Sequence, residues 1–115
     1  MAVLDSEVEE NALAAVRTLG RLGAVQAAYV FGSQAEGRAD RWSDIDVAVL
    51  VKGVEDWDIQ RRARIMALVV EEVGPEVEAR LFPASALENP ELGSLIEYIV
   101  QHGVRVWHNE SRIED

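Results

Sequence analysis

The apolar positions of the chain change their spacing several times, and each change predicts an element. Val8, Ala12, Ala15, Val16, Leu19 and Leu22 recur every three or four residues, the period of an amphipathic helix, with Gly20 and Gly23 marking its end. Ser6 followed by Glu9 forms a capping-box pattern that places the helix start at Ser6, and the acidic Glu7, Glu9 and Glu10 suit the positive end of the helix dipole. Ala24 to Phe31 then reads as a first strand. A second apolar run, Val47 to Val51, is led in by Ser43-Asp44-Ile45-Asp46, which opens the second strand. Between the strands, Gly32-Ser33 cuts the first run and Gln34, Ala35 and Glu36 predict a short helical turn.

Further along, Lys52-Gly53-Val54-Glu55 is a turn and Asp56 is the expected N-cap of the next helix. Ile59, Ala63, Met66, Val70 and Val73 form its predicted buried stripe, closed by Gly74-Pro75. Glu76 to Phe82 alternates polar with apolar and reads as a third strand, and Pro83 to Glu88 is a connection. Asn89-Pro90 opens a last helix with Leu92, Leu95, Ile96, Ile99 and Val100 on its apolar face. Gly103 ends that helix, Val104 to Trp107 is a short final strand, and residues 109–115 read as a frayed polar tail.

This order predicts an α/β architecture, a small mixed β-sheet with helices packed against it. The 115 residues fit one domain over residues 1–115, with no repeats or linkers, and leave no room for a separate substrate domain. Hydrophobic residues at 49% and charged residues at 28% are those of a globular protein. With no cysteine, disulfides, thiolate zinc sites and cysteine nucleophiles are excluded. Neither a signal-peptide pattern nor an apolar run of membrane-spanning length is present, so the expected location is cytoplasmic, away from membranes. The net charge of −10 argues against an extended surface for DNA or RNA. A triphosphate can still bind an acidic protein where divalent ions and a few arginines neutralise it at one point.

The candidate chemistry lies between the first two strands. Gly32 lets the backbone approach a ligand, Ser33 offers an N–H and a hydroxyl to a phosphate oxygen, and Gly37 permits a second bend. Asp44 and Asp46 are two apart, so in a strand their carboxylates fall on one side, a pair that repels unless a cation or a proton intervenes. Oxygen-only ligands suit Mg2+ or Mn2+. Trp42 either stacks on a base or packs over the loop, and packing is the expected state. Arg61, Arg62 and Arg64 are read first as solvated surface, with a phosphate-binding or partner-binding patch as the alternative. His102 and His108 are expected to close a helix and a strand without catalytic duty.

Gly32-Ser33, a nine-residue spacer, Ser43-Asp44-Ile45-Asp46 and a hydrophobic strand together resemble the signature of the DNA polymerase β-like nucleotidyltransferase superfamily. At this length the chain resembles the minimal nucleotidyltransferases (MNT), the small partners of HEPN-domain proteins in toxin–antitoxin systems. The specific part of the resemblance is Gly32 to Asp46, although the element order extends it over most of the chain. The resemblance implies a polymerase β-like nucleotidyltransferase core with two Mg2+ held by Asp44 and Asp46. A third carboxylate from the neighbouring strand, usually aspartate, falls here on Glu78, with Glu76 as the other in-phase candidate. It implies nucleotide binding through Gly32, Ser33, Gly37, Arg38 and Ser43. The family's arginine just after Gly-Ser is absent; Gln34 and Glu36 surround that place, and Arg38 and Arg41 are the candidates to restore the charge.

The implied reaction is Mg-dependent transfer of a nucleoside monophosphate, AMP from ATP, to a hydroxyl of a protein acceptor. The resemblance implies a HEPN-domain toxin as that acceptor, silenced by this chain as its antitoxin. The nucleotide identity and the homo- or hetero-oligomeric state stay open. One alternative is a non-catalytic antitoxin, a binding module on the same fold; another is a small-molecule, antibiotic-modifying nucleotidyltransferase, weakened by the lack of an acceptor-binding domain.

Overall fold

The computed structural model describes residues 4–40, 42–88 and 94–109. Its order is α1 (Ser6–Gly20), β1 (Ala24–Phe31), α2 (Ser33–Glu36), β2 (Ile45–Lys52), α3 (Ile59–Val73), β3 (Val77–Pro83), α4 (Leu95–His102) and β4 (Val104–His108). Short 3-10 turns cover Val54–Asp56 and Ala84–Leu87. The four strands form one mixed sheet in the order β3-β2-β1-β4. β1 runs antiparallel to β2 and to β4, whereas β2 and β3 are parallel and joined through α3. Parallel neighbours require such a crossover, and the helix that makes it buries one face of the sheet.

The two faces are covered unequally. Ala12, Ala15, Val16 and Leu19 of α1 and Ile65 and Val69 of α3 bury against Val25, Ala28 and Val30 of β1 and Val47, Val49 and Val51 of β2. The opposite face has a smaller core of Ala27, Tyr29, Phe31, Ala48, Leu50 and Ile99, with Phe82, Ala86 and Leu87 packed at its margin. Alternation sends successive residues to opposite faces, except at the register shift between Val25 and Ala27 of β1, so register fixes both cores at once. Among the described residues, the thin face is covered chiefly by α4 and the 3-10 turn after β3.

Most predicted elements are present, with local corrections. The cap of α1 is Asp5, whose Oδ1 accepts from the Glu7 N–H at 2.8 Å, rather than Ser6. The cap of α3 is Asp58, accepting from the Arg61 N–H at 2.7 Å, because Asp56 is already spent in the preceding 3-10 turn. The buried stripe of α3 is rotated by one residue, about 100°. Ile65 and Val69 face inward and Met66 and Val73 lie at the border, whereas Ile59 is 83% exposed, Val70 47% exposed, and Ala63 also outward. A spacing of three and four fits adjacent stripes of one helix equally; packing against α1 and the sheet selects between them.

The arginine run is not simply solvated. Arg61 donates to the Leu22 carbonyl and lies 4.1 Å over the Trp57 ring, and Arg62 donates to the Val54 carbonyl at 2.8 Å, so both staple α3 to the loops beneath it. Trp42, expected to pack over the loop, is 80% exposed. The predicted start of the last helix at Asn89-Pro90, with Leu92, lies outside the described residues, where the described helix opens on a Ser94 cap. His102 and His108 do end α4 and β4. Asn109 continues past β4 by donating to the Gln26 carbonyl, and the tail beyond it is outside the described residues.

Two glycines have opposite roles in this packing. A Cβ on Gly103 would stand 2.6 Å from the Ile99 carbonyl oxygen and 2.9 Å from that of Val30, both backbone, where α4 closes onto β1. A Cβ on Gly20, at the end of α1, would meet nothing within 4 Å. Urea unfolding is therefore expected to show Gly103→Ala destabilised by about 1–3 kcal/mol, the cost of overpacking. Gly20→Ala is expected to gain about 0.5–1 kcal/mol from helix propensity.

Candidate functional site

The site is built where β1 ends and β2 and β3 begin. Register aligns Phe31, Asp46 and Glu78 in one row across the thin face, followed by a row of Tyr29, Ala48 and Arg80 and a row of Ala27, Leu50 and Phe82. The first row thus puts two carboxylates on neighbouring strands, about 5 Å apart at the backbone. Asp46 and Glu78 lie within hydrogen-bonding reach of each other. Burial first, and then the facing Glu78, push the Asp46 carboxyl above the usual carboxylate range, with Asp44 adding to the rise and Arg80 opposing it.

Gly32 sets the other wall. Its φ of 78° is in the region that favours glycine, and a Cβ there would stand 2.8 Å from Oδ2 of Asp46. The same residue therefore turns the chain and leaves the carboxylate room. The Gly32 carbonyl accepts from the Ala35 and Glu36 N–H groups, starting the one-turn α2, and Ala35 buries into the larger core to hold that turn against the sheet. Gly37, at φ 75°, closes the turn in the left-handed conformation. Among the described residues the Ser33 side chain has no hydrogen-bond partner.

The remaining predicted residues divide. Asp44 stands just before β2 and is exposed, with its charge felt at Asp46 and its backbone carbonyl accepting from the Gln34 side chain at 3.5 Å. The Ser43 hydroxyl donates to Asp40 Oδ1 at 3.2 Å and accepts from the Asp40 N–H at 3.0 Å, so it shapes the loop. Arg38 pairs with Glu36 at 3.0 Å. Arg41 lies outside the described residues. Of the two candidate glutamates, Glu78 takes the place opposite Asp46, whereas Glu76 precedes β3 with its carboxylate folded back over Gly74. A cleft of about 660 Å3 beside the loop is lined by Gln34, Asp40, Ser43 and Glu76 together with Asp5 and Asn11 at the start of α1.

Two features were not read from the sequence. Glu36 accepts the Tyr98 hydroxyl of α4 as well as Arg38, and these two hydrogen bonds, Tyr98 first, hold its carboxyl below the usual range. Tyr98 in turn packs against His102 in a tilted arrangement, 4.6 Å between ring centroids. This contact spans 62 residues of sequence, so no local pattern signals it. Arg80 lies two residues beyond Glu78 on the same face of β3; the alternation that singled out Glu78 points equally to it.

The donor set is chemically that of a hard cation, carboxylate oxygens facing each other without a cation in ion-pair contact among the described residues. Among the described residues, however, no three His, Asp or Glu side chains are gathered to hold a metal. Asp46 and Glu78 meet; Asp44, outside the strand, is near without completing a three-ligand set.

The chain matches the family model described as a nucleotidyltransferase domain over residues 10–112. Among curated proteins none matches it in sequence. Solved structures share its fold. A candidate nucleotidyltransferase from Sulfolobus solfataricus superposes with a TM-score of 0.65 at 19% identity, covering 91% of this chain and 84% of that one. A toxin–antitoxin structure with AMP-PNP gives 0.61 at 24%, covering 92% and 77%. A tri-AMPylated Shewanella oneidensis HEPN toxin in complex with MNT antitoxin gives 0.56 at 19%, covering 93% and 77%. At these identities the structural likeness is one of fold, a polymerase β-like nucleotidyltransferase core, and the family model, spanning nearly all of the chain, supplies the membership: this protein belongs to the nucleotidyltransferase domain family.

Proposed function

We propose that this chain transfers a nucleoside monophosphate, AMP from ATP, to a hydroxyl of a HEPN-domain toxin and thereby acts as its antitoxin. The observation that carries the reading is the facing of Asp46 and Glu78 beside the Gly32 turn. The AMPylated toxin in one structural relative and AMP-PNP in another support the nucleotide and the acceptor class. Asp44, Asp46 and Glu78 would hold Mg2+ or Mn2+, which supplies charge neutralisation of the phosphates and of the attacking oxygen when bound.

The chain's own residues have separable duties. Gly32, Ser33 and Gly37 shape the loop that takes the phosphates, and Gln34 fixes that loop to the residues leading into β2. Glu78 accepts the proton of the acceptor hydroxyl as its oxygen bonds to the α-phosphorus. The bond from that phosphorus to the β-bridging oxygen breaks, and pyrophosphate leaves with the electron pair. Most of the acceleration comes from alignment and from fixed charge. A second reading, a non-catalytic antitoxin, is favoured by the absence of a gathered three-ligand set among the described residues and by the engagement of Arg38 with Glu36.

Incubation with α-labelled ATP, Mg2+ and a HEPN partner is expected to label the partner. Glu78→Gln should lower the rate by about a hundredfold or more, the worth of a positioned base, and Asp46→Asn and Gly32→Ala should abolish labelling. A tight complex without label from any nucleotide would favour the binding antitoxin instead.

The raised Asp46 carboxyl gives an independent test without turnover. Its stabilising share is fully present below the unfolded aspartate pKa, about 3.9, and is lost as pH rises through the higher folded value. In EDTA, Asp46→Asn should therefore melt a few degrees above the natural protein at pH 8, with the difference shrinking as pH falls toward about 4. Mg2+ should raise the melting temperature of the natural protein more than that of the variant.

A further inference from the structure

We propose that Arg80 binds a phosphate of the nucleoside triphosphate beside the Asp46–Glu78 pair. The inference rests on the nucleotidyltransferase reading and adds to it a residue outside the Gly32–Asp46 segment. Arg80 follows Glu78 by two on β3 and pairs in register with Ala48, itself two beyond Asp46. Its side chain therefore rises from the thin face one row behind the carboxylates, about 7 Å further along the strand. An extended arginine spans that distance, and the charge of Arg80 is felt at Asp46.

Its place beside the carboxylates, together with its availability, distinguishes it from Arg38, Arg21, Arg61 and Arg62. Arg38 is held by Glu36, Arg21 by Glu72, and Arg61 and Arg62 by backbone carbonyls. Arg80 is exposed and, among the described residues, makes no hydrogen bond or ion pair, not even with Glu78 on its own strand. If neutralising the carboxylates were its only duty, the guanidinium would lie on one of them. Standing apart, it offers a planar fork of donors at the edge of an anionic site in a protein of net charge −10, where phosphate oxygens must find local positive charge. Ala48 beside it carries only a methyl group, so no bulky neighbour on β2 blocks the approach.

Calorimetric titration of the full chain with ATP and Mg2+ tests this. Arg80→Ala should weaken ATP binding tenfold or more and flatten its salt dependence, Arg80→Lys should recover most of the affinity, and Arg64→Ala on α3 should change it less than twofold. Should Arg80→Ala fail to fold by circular dichroism, phenylglyoxal modification of the natural protein reads the same point: ATP should protect Arg80 and leave Arg64 reactive. Unchanged affinity in a folded Arg80→Ala, or modification of Arg80 unaffected by bound ATP, overturns the assignment while the nucleotide reading stands. Absence of ATP binding by the natural protein overturns both.

Discussion

Two carboxylates held at one register on adjacent parallel strands are the constraint to which the rest of this fold answers. Asp46 and Glu78 face each other on the thinly covered side of the sheet, where burial has already raised the cost of ionising Asp46. An ordinary core would not place like charges there. The arrangement is tolerable because β3 is an edge strand, leaving Glu78 exposed, and because the opposite face carries most of the packing through α1 and α3. The stability needed to hold an unfavourable pair comes from the far side of the same sheet.

The backbone around the pair is shaped to the same end. Gly32 combines a positive φ with close approach to Asp46, so one residue type satisfies both the turn and the space. The one-turn α2 is then pinned at three points: Ala35 in the larger core, Gln34 on the residues leading into β2, and Glu36 on Tyr98 of α4. Glu36 also holds Arg38, so the same carboxylate ties the turn to α4 and to the loop that follows it. Of the described arginines near the pair, Arg38 is engaged by Glu36, whereas Arg80 on β3 makes no hydrogen bond or ion pair among the described residues.

Likeness of fold at 19–24% identity means that the sheet order and the placement of strand ends are shared while most side chains are not. Function in such a family is carried by a few groups at strand ends and by what the loops add. In this chain those groups are the Asp46–Glu78 pair at the strand ends and a loop in which Gln34 reaches the Ser43 and Asp44 carbonyls.

Local chemistry is enough to read much of this from the residues. The period-two and period-three-to-four patterns placed the main described elements, and Gly32-Ser33 with Asp44 and Asp46 marked the loop, because turns, alternation and spacing are properties of neighbours along the chain. The choice of Glu78 over the in-phase Glu76 rested in sequence on resemblance alone; the β2–β3 register, and the start of β3 after Glu76, put Glu78 opposite Asp46. The same limit explains α3, where Ile59 and Val70 satisfied the spacing yet face outward, because a helix has adjacent stripes and only its packing partner chooses one. The caps shifted by one or two residues for a similar reason, several acidic residues competing for each helix start. The sequence by itself thus determined the element types and the loop chemistry, whereas the Tyr98–Glu36 contact, the standing of Arg80 and the Asp46–Glu78 pair were decided by the tertiary structure, since each joins residues that only strand register or helix docking brings together.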